Sequence, residues 1–301
     1  MFFLVPTVVG VVTIVFLLLH ATPGDPVEVI LGETASPADR EALRSHLGLD
    51  RPIAEQYSEY LIGLATGDLG TSIHSRRPVA GMVLERYPAT LALTIAAIII
   101  ALLVAIPSGL VSAARPHGAI DRISLIASLL GTAIPNFWLG PMLILVFSVR
   151  LGWLPVSGTG GFAHLVLPSI TLGLAMAGIL TRMTRSTVIE ALHEDYVRTA
   201  RAKGAPERIV LVRHALANAA TPMLSLVGLQ FGALLAGSVI TETIFSWPGI
   251  GRLTIQAIQT RDYPVVQGCV LAIALSYVIV NLATDVAYAW ANPRIRLAGD
   301  H

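Results

Sequence analysis

The sequence predicts an all-α polytopic membrane protein with six transmembrane helices. Hydrophobic residues make up 54% of the chain and charged ones only 13%, and the mean hydropathy is +0.72, well outside the soluble globular range. Apolar runs recur at 1–19, 88–113, 123–149, 165–181, 221–241 and 263–286, each close to or above the roughly 20 residues that cross a bilayer as a helix. A single long charged segment, 190–216, interrupts the later runs.

The first run lacks a basic leading segment and an A-x-A-like cleavage site, so it reads as a membrane helix and not a signal peptide. Pro23-Gly24-Asp25-Pro26 ends it. Residues 22–87 are soluble in character. Ser36-Pro37-Ala38-Asp39 supplies a helix cap, a first-turn proline and an acid, and Gly48 closes that helix. Pro52 opens another, with Ile53, Tyr57, Tyr60, Leu61 and Leu64 on one face, and Gly67-Asp68-Leu69-Gly70 breaks it. Helices this short and few make a cap resting on the membrane part, not an independent core.

Pro88 and Pro168 are expected near helix starts, where a missing amide hydrogen is harmless. Arg115, Arg122, Arg182, Arg185, Arg198, Arg201, Lys203, Arg208, Arg213, Arg294 and Arg296 fall on one side of this topology, against Arg150, Arg252 and Arg261 in short loops on the other. The positive-inside rule then places both termini and the 190–216 segment in the cytoplasm and the long 22–87 segment outside. Between the segment ends no Asp, Glu, Lys, Arg or His falls within the six apolar cores, where proton- or voltage-coupled machines keep theirs, and Asp285 sits at the end of the last, as an interfacial residue beside Arg294 and Arg296.

Several chemistries are excluded. A net charge of +1 offers nothing to nucleic acid. Cys269 stands alone, which rules out a disulfide framework or a cysteine metal site. The eight histidines contain no HExxH, and the only lysine, Lys203, is not part of a GxxxxGK[ST] loop. The chain is therefore expected to have no ATP site of its own, no metal site and no catalytic residues.

Within the charged segment, Glu190, Glu194 and Asp195 precede Arg198, Arg201 and Lys203, the order a helix dipole favours. Gly204 can turn left-handed past the last helical position, and Pro206 stops the helix from continuing. The expectation is a short, firmly ended surface helix.

Asp195-Tyr196-Val197-Arg198-Thr199-Ala200-Arg201-Ala202-Lys203-Gly204, with His214-Ala215-Leu216 beyond it, resembles the cytoplasmic "EAA" loop of ABC importer permeases in its dipeptide and oligopeptide form. Arg198-Thr199-Ala200 stands where the general signature has Glu-Ala-Ala, a departure that the peptide branch shares. Thr181-Arg182-Met183-Thr184-Arg185, the stretch from Thr241 through Glu242 to Gly251, and Asn292-Pro293-Arg294-Ile295-Arg296 extend the likeness over nearly the whole chain.

The resemblance implies the ABC importer permease fold, divided into a first helix (1–20), an extracytoplasmic helical insertion (21–87), a five-helix core (88–291) containing a coupling loop (186–217), and a cytoplasmic tail (292–301). It implies an ATP-driven importer for di- or oligopeptides in a bacterial inner membrane; nickel, glutathione or another small polar solute is the alternative. Asp195, Tyr196, Arg198, Thr199, Ala200, Arg201, Lys203 and Gly204 would then form the surface that meets an ATPase. The implied partners are a second permease subunit, two cytoplasmic ATPase subunits carrying ATP and Mg, an extracytoplasmic solute-binding protein and membrane lipid. Asn136, Gln230, Gln267 and Asn281 either line a polar path or bond helix to helix. Glu242 and Trp247 belong to a turn that either helps close the pathway or forms an interfacial aromatic belt. A secondary carrier is the rival reading, and it would need inverted repeats and ionisable groups at depth.

Overall fold

The computed structural model describes residues 4–21, 26–31, 35–46 and 48–291, and those residues are almost entirely helical. In chain order the helices are α1 Leu4–Ala21, α2 Pro26–Leu31, α3 Pro37–His46, α4 Ile53–Thr66, α5 Val79–Ala114, α6 Ala119–Ala133, α7 Asn136–Leu143, α8 Phe162–Leu192, α9 Asp195–Ala202, α10 Glu207–Ile209, α11 Leu216–Ile244, α12 Ile250–Gln259 and α13 Tyr263–Ala291. Two π-helical stretches, Ile144–Arg150 and Val210–Ala215, continue α7 and α10. The Pro23 to Asp25 turn and the closing Asn292 to Arg296 motif lie outside the described residues.

Among the described residues four helical stretches are long and apolar enough to cross a membrane: Val79–Ala114, Phe162–Leu192, Pro222–Ile244 and Tyr263–Thr284. The expected crossing at 123–149 is not one straight helix. It is Ala119–Ala133 followed by Asn136–Arg150, bent by 104°. The cause is local: Ile134 precedes a proline and is driven into extended backbone (φ −78°, ψ 118°), and Pro135 brings no amide hydrogen to continue the ladder. Counting the pair as one span gives five. A sixth would be α1, whose described apolar stretch Val9–Leu18 is shorter than the rest.

Two further boundaries differ from expectation. Pro88 lies in the third turn of α5 and Pro168 in the second turn of α8, inside both helices and not at their starts. In membrane helices neighbouring groups can satisfy the carbonyl that such a proline frees, so the helix need not begin there.

The chain forms two compact units, Met1–Thr90 with Pro248–Val278, and Leu91–Trp247 with Ile279–His301. In the first unit Val79 and Val83 of α5 pack with Ile250, Leu253 and Ala257 of α12 and with Val265, Val266 and Cys269 of α13. A loop joins α4 to α5 through a single bridge between Thr71 and Pro78. The buried Asp262 carboxylate pins it, accepting from Ser72 Oγ at 2.5 Å and from the Ile73 amide at 3.2 Å. The end of the 21–87 segment thus shares a core with residues nearly two hundred positions away. On α4, Tyr57 reaches Thr13 of α1 (2.6 Å), while Ile53 of the predicted apolar face stays exposed.

In the second unit α8 is the central helix, packed on α6, α7 and α11. Close approach to α6 requires Gly178. A methyl group there would come within 3.0 Å of the Ser128 carbonyl oxygen, a backbone atom that cannot swing aside. We expect Gly178→Ala to lower stability by about 1–3 kcal/mol, read as a fall in the unfolding midpoint in detergent; an unchanged midpoint would show that the two helices separate at no cost.

Candidate coupling loop

The predicted site emerges from α8, which ends at Leu192. His193 caps it, and its ring Nδ1 lies 2.8 Å from the Ile189 carbonyl oxygen. Glu190 therefore belongs to the last turn of α8 and does not open the surface helix, a correction to the charge order read from sequence. Glu194, in extended backbone, is the residue from which α9 starts, and Asp195 supplies the acid in its first turn.

α9 is amphipathic on a short scale. Val197 (0% exposed) and Ala200 (9%), three residues apart, are its buried contacts. Asp195, Tyr196, Arg198, Thr199, Arg201, Lys203 and Gly204 are exposed. The helix rests on the π-helical stretch Val210–Ala215, which also packs on α8 and α11. Below it lies a cluster of Ala113, Val188, Ala191, Ala215, Ala219 and Met223.

Three ties hold α9 in place. Asn218 Nδ2 donates to the Tyr196 hydroxyl (2.9 Å) and to the His214 carbonyl (2.7 Å), joining α9 to the start of α11. Burial, and then the nearby Glu194 carboxylate, push the Tyr196 phenol above its ordinary value. Past the helix end, Arg201 grips Glu207 through Nη2 (2.6 Å) and Nε (3.2 Å). The bonded pair holds the Glu207 carboxyl below and the Arg201 guanidinium above their usual values.

The third tie is the cap itself. The Ala205 amide donates to the Ala200 carbonyl (3.1 Å) and the Gly204 amide to the Arg201 carbonyl (2.9 Å), with Gly204 at φ +79°. This is the Schellman pairing, and it satisfies carbonyls a helix end otherwise leaves open.

Sequence reasoning missed a second feature. Asp121, at the start of α6 and 2% exposed, receives Arg185 of α8 through Nε on Oδ1 (2.6 Å) and Nη2 on Oδ2 (2.8 Å). Ser112 Oγ and the His117 amide (2.8 Å) also donate to it. Four donors on one buried carboxylate clamp α8, two turns before its end, to α6 and to the end of α5. The 64-residue gap between the partners hides the clamp from any local pattern.

Residues 101–297 match the family described as binding-protein-dependent transport system inner membrane component, and residues 2–94 match the N-terminal family of the same systems. The glutathione transport system permease protein GsiC of Escherichia coli (strain K12) is 44% identical over 293 residues, covering 97% of this chain and 96% of the relative. The chain belongs to the ABC importer permeases of the peptide and oligopeptide type. The GsiC of Pectobacterium atrosepticum is 43% identical over the same length. In fold this permease subunit is similar to the inward-facing MetNI methionine ABC transporter (TM-score 0.59, 18% identity, 70% of this chain and 96% of that one). A second structural relative is an amino acid ABC transporter with histidines (TM-score 0.51, 18% identity, 71% and 94%).

The pathway candidates of the permease lie at the start of α7, along α11 and just past its end. Asn136, half-buried, opens α7, and its amide nitrogen lies 3.3 Å from where a Cβ on Gly237 of α11 would stand. Gln230, also half-buried, precedes Gly237 by two turns on the same face of α11. Glu242 lies about 140° further round that helix and is 0% exposed. The Trp247 amide donates to the Glu242 carbonyl (2.8 Å) and the Ser246 amide to Thr243 (3.3 Å), with Ser246 at φ +52°, so α11 ends on the same cap as α9. Phe245 (2%) and Trp247 (8%) are inside the protein, which removes the reading of this turn as an interfacial aromatic belt. α12, which follows it, was missed, although Ile250, Leu253, Thr254 and Ala257 carry helical spacing and are buried.

Proposed function

We propose that this permease subunit forms half of the path by which an ATP-driven importer takes up short peptides. The observation that supports this most is α9, a short helix anchored by Val197 and Ala200, capped at Gly204 and exposed along Asp195, Tyr196, Arg198, Thr199, Arg201 and Lys203. Such a helix suits a groove on a cytoplasmic ATPase subunit. Closure of two ATP- and Mg-loaded subunits pushes it, and the clamp on α8 carries the push into the membrane helices. The ATP is hydrolysed by the partners.

A second, related permease subunit completes the path, and an extracytoplasmic binding protein delivers the solute. Both termini face the cytoplasm and residues 22–87 face outside, as the arginine distribution requires. Asn136 and Gln230 face the solute, and Glu242 and Trp247 close its outer end. The relatives named for glutathione transport sharpen the substrate: glutathione is a tripeptide, so short peptides as a class embrace both it and the dipeptides.

The test is to tag the chain, solubilise it gently and identify what accompanies it while assaying ATP hydrolysis with glutathione, dialanine and Ni²⁺ as solutes. Two ATPase subunits, a second permease and turnover stimulated by the peptide-loaded binding protein are expected. A chain that purifies alone without turnover would return the carrier reading to first place; stimulation by Ni²⁺ alone would remove the peptide.

A further inference from the structure

The first unit contains a cavity of about 430 Å³ between α1, α4, the Thr71 to Pro78 loop and the start of α13, within the size range of small-molecule sites. One wall is aromatic: the Phe16 and Tyr60 rings lie 5.9 Å apart and nearly parallel, and His20 stands 6.1 Å from Tyr263. Burial pushes the Tyr60 phenol up to about 12, so that ring stays uncharged. Both ring nitrogens of His20 are engaged, Nδ1 with the Phe16 carbonyl (2.8 Å) and Nε2 with Gln56 Oε1 (3.1 Å). It presents its ring and no free nitrogen.

The lining also carries Arg76. Its guanidinium makes no ion pair among the described residues, whereas Arg51 and Glu59 are joined to each other and Arg77 to Glu85. Arg76 also sits at φ +57°, a backbone region that disfavours side-chain-bearing residues. Its surroundings hold it there. The Arg76 amide donates to the Ser72 carbonyl (3.1 Å), the Ser75 amide to Ser72 Oγ (2.9 Å), and that hydroxyl donates to the buried Asp262 carboxylate. A strained residue held so firmly, bearing an uncommitted fork of donors at the mouth of a cavity, points to function.

We propose that this cavity binds the free carboxylate of a short peptide, with Arg76 as its anchor and the Phe16 and Tyr60 rings against its side chains. The site rests on the peptide reading above and adds to it a recognition step in the permease itself, separate from the binding protein. A guanidinium fork matches a carboxylate in two parallel hydrogen bonds, whereas a peptide amide offers it one oxygen.

The experiment uses the intact complex in lipid nanodiscs without binding protein, titrated calorimetrically with dialanine, dialanine amide and glutathione. Dialanine and glutathione are expected to bind. Amidation and Arg76→Gln should each weaken dialanine binding about tenfold or more, and Arg76→Lys less. Because the Arg76 side chain is exposed and in no ion pair among the described residues, its variants should melt with the wild type. Equal binding of acid and amide, no binding by the wild type, or an indifferent Arg76→Gln would overturn the site. So would a variant that loses affinity only for the binding protein, which would make Arg76 a protein contact. Peptide uptake by the wild-type complex with binding protein is measured alongside: uptake with an overturned site leaves the proposed function standing, and no uptake removes both.

Discussion

Asp121→Ala is expected to destabilise the permease by about 3–5 kcal/mol, because it removes one partner of a buried pair and leaves the other charge behind. Arg185 would keep its place in α8 with 20% side-chain exposure and no carboxylate to meet, and Ser112 Oγ and the His117 amide would lose their acceptor at the same time. Asp121→Asn should recover only part of the loss, since its amide nitrogen would face the guanidinium. Replacing both partners, Asp121→Leu with Arg185→Met, should recover more than either single change, the behaviour of buried pairs exchanged for apolar groups of similar size. Unfolding midpoints of the purified complex in nanodiscs measure all four proteins. A midpoint for Asp121→Ala equal to the wild type would mean that the clamp contributes nothing. Loss of transport is expected even in the folded fraction, because the clamp sits two turns before the end of the helix from which α9 emerges.

What could be read from the chain alone follows from how local each signal is. α9 was legible because its start, its end and its exposed polar residues lie within ten positions: Asp195 opens it, Gly204 caps it and Pro206 forbids its extension. The membrane class was legible because apolar composition sums over any arrangement. The bend at Ile134-Pro135 was also written locally, but a long hydropathy run conceals a proline that hydropathy does not weigh. The clamp and the first unit were not legible for a different reason. Asp121 with Arg185, and Asp262 with Ser72 and Ile73, join residues 64 and about 190 positions apart, and each alone resembles an ordinary loop charge. Glu242 illustrates the same limit: in sequence it is a polar residue past a span, and in the fold it is wholly buried.

Gly204→Val is expected to cut coupled transport by about tenfold or more while the complex still assembles and hydrolyses ATP. Space is not the reason, since a Cβ at Gly204 would meet nothing within 4 Å. The backbone is: at φ +79° a residue with a Cβ loses roughly 1–2 kcal/mol, and a β-branched one more. α9 has only eight residues, too few to be stable without its ends and its packing. To escape the strain the chain must abandon the two cap bonds from Ala205 to Ala200 and from Gly204 to Arg201. The Arg201 to Glu207 pair spans that turn and would shift with it, displacing the exposed face from the groove proposed for it. Since tenfold in rate corresponds to about 1.4 kcal/mol, strain of this size is sufficient. Gly204→Asn is the control, because asparagine tolerates the left-handed region better than other residues, and it should transport nearly as the wild type does. Uptake and ATP hydrolysis measured together in proteoliposomes separate the outcomes. If valine transports normally, or if asparagine is as damaging as valine, the left-handed cap is not what couples α9 to its partner.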